Sequence, residues 1–178
     1  MSDTNPNVPF PDSYWVIPRQ LLAGEYPGDT EDRQTKKRTL ALLDAGIRTF
    51  LNLTDEDETG AGYRPILRTL AEERQMEITC ARMALIDRAV PSVWTMRYIL
   101  DVIDRSVADE NPVYVHCWAG RGRTGAVVGC YLKRHGLATD QNVIEKLTEL
   151  RRWMPSGRET SPHTPEQVRM VRNWKKGV

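Results

Sequence analysis

The segment HCWAGRGRTG, residues 116–125, begins His-Cys and places three glycines and two arginines within ten residues. A strand is predicted before it over Val113–Val115, ending at His116, and the apolar run AVVGCYL after Gly125 predicts a helix that ends near Gly136. The segment between them is therefore predicted to be a strand-to-helix turn. In α/β proteins such turns lie at the carboxyl ends of strands, where ligands bind, so this segment constrains the fold strongly.

The rest of the chain alternates short apolar runs with helical patterns. Strands are predicted at Gln20–Ala23, Thr49–Leu53 and Ile78–Leu85, and helices at Ser92–Ala108, Val143–Met154 and Thr164–Trp174. The last helix opens with Thr-Pro-Glu, which supplies an N-cap, a first-turn proline and a first-turn acid. This alternation predicts an α/β fold in which a central, mostly parallel sheet is flanked by helices.

Length and composition bound the class of protein. At 178 residues the chain is predicted to form one domain over residues 13–178, preceded by a flexible, proline-rich arm over residues 1–12. The formal net charge of +1 gives no reason to expect nucleic acid or a membrane surface as the main partner. The first residues do not resemble a signal peptide, and no run is long enough to span a bilayer. Three cysteines, an odd number, favour a reducing compartment, so we predict a cytoplasmic protein without membrane insertion.

The residue types in the turn suit a tetrahedral anion. Gly120 and Gly122 let the backbone curl around the anion without side chains that would block its amides. The helix start adds unpaired N–H groups and a positive dipole end. Arg123 supplies a planar fork that matches two phosphate oxygens, which a lysine cannot do. The same groups would stabilise the thiolate form of Cys117 and make it a nucleophile.

The neighbouring residues of the turn have predicted roles too. His116 is expected to hydrogen-bond backbone groups and hold the loop, and the hydroxyl of Thr124 is expected to donate to the sulfur when the thiolate leaves. Trp118 is expected near the mouth of the site. The residues predicted to bind substrate are Trp118, Ala119, Gly120, Arg121, Gly122 and Arg123.

His-Cys, five residues, Arg and then Thr-Gly resembles the signature of the cysteine-dependent protein tyrosine and dual-specificity phosphatases. The segment LLAGEYPG and the helix–strand unit around LLDAGIRTFLNL resemble the opening of the compact members of that family, and no counterpart of the long phosphotyrosine-recognition loop is found. The resemblance implies one phosphatase-like α/β domain and catalysis without metal. It also implies hydrolysis of phosphotyrosine, and of phosphoserine or phosphothreonine, in proteins through a phosphocysteine intermediate.

Two further segments carry the resemblance. Family members place an aspartic general acid on a loop upstream of the cysteine, and LIDRAVPS, residues 85–92, offers Asp87 in that position; Asp101 and Asp104 are weaker candidates because they fall inside a helix. Downstream, SPHTPEQVRMVRNW resembles the segment that positions the hydrolytic water. Either His163 or Gln167 would take that role, and the alternative for Gln167 is a solvated helix residue.

Several alternatives stay open at this point. Arg121 either selects multiply phosphorylated substrates, such as phosphoinositides, or faces outward and pairs with an acid. Cys80 and Cys130 are predicted to be core residues, with a redox partnership of Cys117 as the alternative. The alternative functions are a phosphoinositide or other small-molecule phosphatase and an inactive phosphate-binding module; a sulfurtransferase is disfavoured by RTG after the loop. We expect a monomer whose partners are phosphorylated proteins or small phosphorylated substrates.

Overall fold

A five-stranded sheet forms the centre of the protein. The computed structural model describes residues 7–60 and 62–178. The strands are β1 (Ser13–Ile17), β2 (Leu21–Gly24), β3 (Thr49–Asn52), β4 (Thr79–Arg82) and β5 (Val113–His116). Their order across the sheet is β1-β2-β5-β3-β4, with β1 antiparallel to β2 and every other neighbouring pair parallel. The carboxyl ends of β2, β3, β4 and β5 therefore lie along one edge of the sheet.

Helices cover both faces of this sheet. They are α1 (Asp32–Asp44), α2 (Glu56–Thr59), α3 (Arg64–Glu73), α4 (Val93–Ala108), α5 (Arg123–Arg134), α6 (Val143–Arg151) and α7 (Pro165–Asn173). Apolar residues of α4, α5, α6 and α7 form one core with the sheet, and those of α1 and α3 form a second core on the opposite face. The predicted fold class, a mostly parallel sheet flanked by helices, is confirmed.

Some predicted boundaries differ from those observed. Helix α5 begins at Arg123, ahead of the predicted start after Gly125, and β4 ends at Arg82 rather than Leu85. Gly125 lies inside the first turn of α5, where a Cβ atom would collide with the hydroxyl of Ser161, so this glycine is a packing residue rather than a helix boundary. The edge strand β1 and the helices α2 and α3 were not predicted.

The predicted arm over residues 1–12 is described only in part, because residues 1–6 lie outside the described residues. Phe10 is buried, and its ring centroid lies 6.0 Å from that of Tyr114 in an edge-to-face arrangement. The guanidinium of Arg38 lies 5.5 Å from the centre of the Phe10 ring. The flexibility of the arm stays a prediction. In the part of the chain that the structure describes, no helix has the length and apolarity needed to cross a membrane.

Gly120, in the β5–α5 turn, packs closely against the backbone at the end of β2. Its φ of +61° lies in the left-handed region, which side chains with a Cβ disfavour. A Cβ atom there would lie 2.6 Å from the carbonyl oxygen of Gly24 and 2.7 Å from the backbone nitrogen of Glu25. Because both neighbours are backbone atoms, neither can rotate away. The close approach of the turn to β2 therefore depends on glycine at this position.

A Gly120→Ala substitution should destabilise the protein more than Gly46→Ala. Both residues have positive φ, but no atom lies within 4 Å of a Cβ at Gly46. The left-handed conformation should cost each variant about 1–2 kcal/mol, and the backbone collision should add about 1–3 kcal/mol at Gly120 alone. Denaturant unfolding of both variants and the wild type measures the difference. Equal losses would show that the turn does not rest on β2 as described.

Candidate active site

Cys117 lies at the carboxyl end of β5, at the bottom of a small pocket that the β5–α5 turn surrounds. The side chain is 3% exposed. Gly122 is the N-cap of α5 and has no side chain to cap the helix, so the first N–H groups of α5 are available to an anion. The pocket has a volume of about 230 Å³ and is lined by Glu58, Asp87, Arg88, Cys117, Trp118, Ala119, Arg121, Gly122, Arg123 and His163.

Arg123 is buried beside this pocket, and Glu58 holds its guanidinium. Its Nη1 and Nη2 donate to the two carboxylate oxygens of Glu58 at 2.6 and 2.8 Å, and Nη1 also donates to the carbonyl oxygen of Leu85 at 3.2 Å. The Nε atom is buried and makes no hydrogen bond to any described residue. Glu58 takes the two terminal nitrogens end-on and does not bind the side of the guanidinium that carries Nε. That side faces Asp87, whose Oδ1 lies 3.4 Å from Nε.

Glu58 was missed by the sequence analysis. The hydrogen bond from Arg123 lowers the pKa of the Glu58 carboxyl below its usual range, so the carboxylate form is stabilised. The signal that could have found it is the acidic run DEDE, residues 55–58, because it begins three residues after the end of β3, at the same sheet edge as Cys117. Which of the four acids pairs with Arg123 is not readable from that run.

The structure brings Asp87 together with Cys117 and Arg123 at the pocket. Asp87 lies in the loop of residues 85–92 between β4 and α4, and its Oδ1 is 3.4 Å from Arg123 Nε. Its side chain is 61% exposed, so the carboxylate also faces solvent. Asp101 and Asp104 are instead in α4; Asp101 pairs with Arg134, and Asp104 lies 2.8 Å from a ring nitrogen of His135.

His116 lies below the turn and is fully buried. Its Nδ1 is 3.2 Å from the carbonyl oxygen of Cys117, and its Nε2 is 2.8 Å from the hydroxyl of Tyr63. Because a carbonyl oxygen only accepts, Nδ1 carries the proton and Nε2 accepts from Tyr63. The ring of Tyr114 stacks on the imidazole at 5.3 Å. Burial lowers the pKa of His116 from its ordinary 6.5 to about 3, so the ring is neutral.

Thr124 is the residue after Arg123, in the first turn of α5, and it is fully buried. Its hydroxyl makes no hydrogen bond to any residue that the structure describes. The predicted donation from Thr124 to the sulfur of Cys117 is thus not formed in this structure, and its role in the reaction stays a prediction. The hydroxyl can nevertheless donate to the sulfur, since it donates to no other described group.

Arg121 pairs with an acid, which was one of the two alternatives for this residue. Its guanidinium donates to the carboxylate of Glu159, and its Nε donates to the carbonyl oxygen of Thr160 at 2.8 Å. The buried Arg151 donates to the carbonyl oxygen of Glu159 at 2.8 Å and so holds this partner segment in turn. Arg121 still lines the pocket, but its charge is largely compensated.

His163 and Gln167 occupy different environments. His163 precedes α7 and lines the pocket. Gln167, in the first turn of α7, is fully buried, so the alternative of a solvated helix residue is wrong. A Cβ atom on Gly122 would lie 3.2 Å from Cβ of His163 and 3.4 Å from Oε1 of Gln167. Both side chains therefore lie against the β5–α5 turn.

Trp118 marks the boundary between the pocket and a larger groove. Its ring is 54% exposed and stacks on Tyr26, with centroids 5.3 Å apart. The groove has a volume of about 550 Å³ and shares Trp118 and Glu58 with the pocket. Its charged residues are Glu25, Asp29, Asp32, Arg38 and Glu58. Burial raises the pKa of Glu25, and the charges of Asp12 and Asp29 add to this rise.

The two other cysteines lie in apolar surroundings. Cys130 is buried in α5, and Cys80 on β4 packs against the second core. Burial raises the pKa of both thiols above the usual range, which favours the unreactive thiol form. This supports the prediction that both are core residues. Among residues 7–60 and 62–178, no cluster of His, Cys, Asp and Glu side chains is arranged to hold a metal ion.

Comparison with known proteins identifies relatives of this chain. The family described as "Tc-R-P: Polymorphic toxin system, DSP-PTPase phosphatase" matches residues 26–137. Phosphatidylglycerophosphatase and protein-tyrosine phosphatase 1 of Mus musculus is 26% identical over 141 residues, which are 79% of this chain and 68% of that protein. Dual specificity protein phosphatase CDC14A of Homo sapiens is 36% identical over 59 residues, which are 33% of this chain and only 9% of that protein. The crystal structure of PTPMT1 in complex with PI(5)P has a TM-score of 0.65 at 18% identity, covering 92% of this chain and 94% of that one.

Lowering the pH from 7 to 5 should reduce the unfolding free energy of the wild type by about 2 kcal/mol more than that of a His116→Gln variant. Between pH 6.5 and 3 the unfolded state binds a proton on His116 that the folded state, with its lowered pKa, does not bind. Stability is therefore lost as the pH falls through this range. Denaturant unfolding of both proteins at pH 7, 6 and 5 measures the difference. Parallel pH curves would contradict the buried neutral ring.

Proposed function

Because this chain belongs to the DSP-PTPase phosphatase family that its residues 26–137 match, we propose that it hydrolyses phosphotyrosine in proteins through a phosphocysteine intermediate. Phosphoserine and phosphothreonine are further substrates under this proposal. The observation that carries it is one pocket lined by Cys117, Arg123 and Asp87 at the uncapped start of α5. Nucleophile, anion clamp and acid are thus within reach of one phosphoryl group.

In the proposed first step, the thiolate of Cys117 attacks phosphorus while the bond from phosphorus to the leaving oxygen breaks. Asp87 gives its proton to that oxygen, so the product leaves as a neutral alcohol or phenol. In the second step water attacks phosphorus, the phosphorus–sulfur bond breaks, and the water proton passes to Asp87. The Nε side of the Arg123 guanidinium and the backbone N–H groups of residues 118–123 hold the phosphoryl oxygens in both steps.

The charges around the pocket support a protein substrate rather than a multiply phosphorylated ligand. A substrate chain that extends from the pocket past Trp118 enters the groove, in which the acids Glu25, Asp29 and Asp32 outnumber Arg38. These acids attract a cationic peptide segment and repel additional phosphates. The guanidinium of Arg121, which could have held a second phosphate, is already bound to Glu159 and Thr160.

A lipid or other small-molecule phosphatase is the second candidate. It is favoured by the mouse relative, whose name joins phosphatidylglycerophosphatase to protein-tyrosine phosphatase. A multiply phosphorylated substrate of this class would require Arg121 to exchange Glu159 for its second phosphate group. The predictions of a monomer, of a cytoplasmic location and of no nucleic-acid partner stay predictions.

A phosphate-release screen with Cys117→Ser as the control tests the proposal. We expect turnover of a phosphotyrosyl peptide with lysines beside the tyrosine to exceed that of phosphoinositides, and we expect Cys117→Ser to abolish turnover because serine is a far weaker nucleophile. The variant should still bind phosphate, since Arg123 and the loop amides remain; a phosphate titration measures this. Higher turnover of phosphoinositides selects the second candidate. Absence of turnover on every substrate supports an inactive phosphate-binding module.

Asp87→Asn should lower turnover by an amount that depends on the leaving group, because an amide cannot donate the proton. General acid catalysis is worth ~10²–10⁴-fold where the leaving oxygen needs that proton. An aryl phosphate with an acidic phenol should lose least, a phosphotyrosyl peptide more and an alkyl phosphate most. Steady-state kinetics over this series, with pH profiles, measure the effect. An equal loss for every leaving group would exclude Asp87 as the acid.

A further inference from the structure

Gln167 links the segment before α7 to the loop of residues 85–92. Its side chain has no exposed surface. The side-chain oxygen Oε1 accepts from the backbone nitrogens of His163 and Thr164, at 3.1 and 3.2 Å. The side-chain nitrogen Nε2 donates to the carbonyl oxygen of Ala89 at 3.1 Å. A single buried amide therefore joins two segments that lie 78 residues apart along the chain.

A second hydrogen bond runs between the same two segments. The hydroxyl of Thr164, which caps α7, donates to the carbonyl oxygen of Arg88 at 3.4 Å. The two bonded carbonyls, those of Arg88 and Ala89, directly follow Asp87 in the chain. The loop is thus held at the two residues that follow Asp87. Asp87 Oδ1 lies 3.4 Å from Arg123 Nε.

The hydrogen bonds of the Gln167 side chain leave it poorly placed to orient a water molecule. An amide oxygen has two lone pairs, and both are used by backbone N–H groups of the α7 start. To accept from a water molecule, Oε1 would have to release one of these buried donors, which costs about 1–3 kcal/mol. The side chain of this segment that lines the pocket is His163.

We propose that Gln167 is a positioning residue for the acid: its Nε2 donates to Ala89 and thereby holds Asp87 toward the phosphoryl group. This inference rests on the proposed function, since it assigns Gln167 to the step in which Asp87 protonates the leaving oxygen. A water-positioning residue would act only after that step, on the phosphocysteine.

The two roles differ in the kinetic parameter they affect. The ratio kcat/KM reports the reaction only up to formation of the phosphocysteine, whereas kcat also includes its hydrolysis. A residue that positions the acid must change kcat/KM, most strongly for leaving groups that need a proton. A residue that positions water leaves kcat/KM unchanged and lowers kcat, with a burst of released leaving group.

The test uses Gln167→Glu, which keeps an oxygen for His163 and Thr164 but replaces the Nε2 donor to Ala89 by an oxygen. We expect kcat/KM to fall about tenfold or more for an alkyl phosphate and less than about threefold for an aryl phosphate with an acidic phenol. The rate falls at high pH when Asp87 loses the proton that it donates, so this alkaline limb of the pH profile should flatten in Gln167→Glu and in Asp87→Asn. In an Asp87→Asn background, Gln167→Glu should cost less than about twofold, because the two residues act as a unit.

Thr164→Val is the second variant, because loss of an N-cap costs only about 0.5–2 kcal/mol and should leave the protein folded. It removes the bond to Arg88 and should give a smaller loss with the same leaving-group dependence, so it carries the test if Gln167→Glu does not fold. Unchanged kcat/KM with a lowered kcat and a burst of leaving group would show that Gln167 positions the hydrolytic water. Equal losses of kcat/KM for all leaving groups would show that Gln167 only stabilises the folded protein. Either result overturns the inference. Failure of the proposed function would give a different result: the wild type would show no turnover, or the loss in Asp87→Asn would not depend on the leaving group.

Discussion

The buried guanidinium of Arg123 is the constraint on which the rest of the site depends. A cation that is 2% exposed must be paired, because an unpaired buried charge is very costly. Glu58 supplies the pairing, and the carbonyl oxygen of Leu85 accepts a further hydrogen bond. These partners follow β3 and β4, so one side chain ties the start of α5 to the carboxyl ends of two neighbouring strands. The same pairing aligns the guanidinium and leaves its Nε side toward the pocket.

The turn is held from below by a neutral imidazole rather than by a second charge. His116 donates to the carbonyl of Cys117 and accepts from Tyr63, and the rings of Tyr26 and Tyr114 complete its surroundings. Because the ring is neutral at ordinary pH, it adds no charge that would compete with Arg123 for the anion. Donors held in fixed positions need no reorganisation when charge develops on a bound phosphoryl group, which is the physical basis of catalysis proposed for this pocket.

The segment between α6 and α7 also supports the site. Glu159 binds Arg121, and the hydroxyl of Ser161 donates to the Arg121 carbonyl oxygen at 2.8 Å, so this segment is attached to the β5–α5 turn. Gln167 attaches it to the loop that carries Asp87. Movement of either loop would therefore break bonds to the same segment. The β5–α5 turn and the loop of residues 85–92 are thus both hydrogen-bonded to this one segment.

The sequence alone determined the fold class and the centre of the site, because these depend on local patterns: the alternation of strands and helices, the glycine-rich turn after Cys117, and Thr-Pro-Glu at the start of α7. Only the tertiary structure decided the partners: Glu58 for Arg123, Glu159 for Arg121 and Ala89 for Gln167. The paired residues lie 65, 38 and 78 positions apart. The contact of Glu58 with Arg123 follows from the strand order, which places β3 beside β5. The contacts of Glu159 and Gln167 follow from the packing of α6 and α7 on α5, and no local pattern encodes either arrangement.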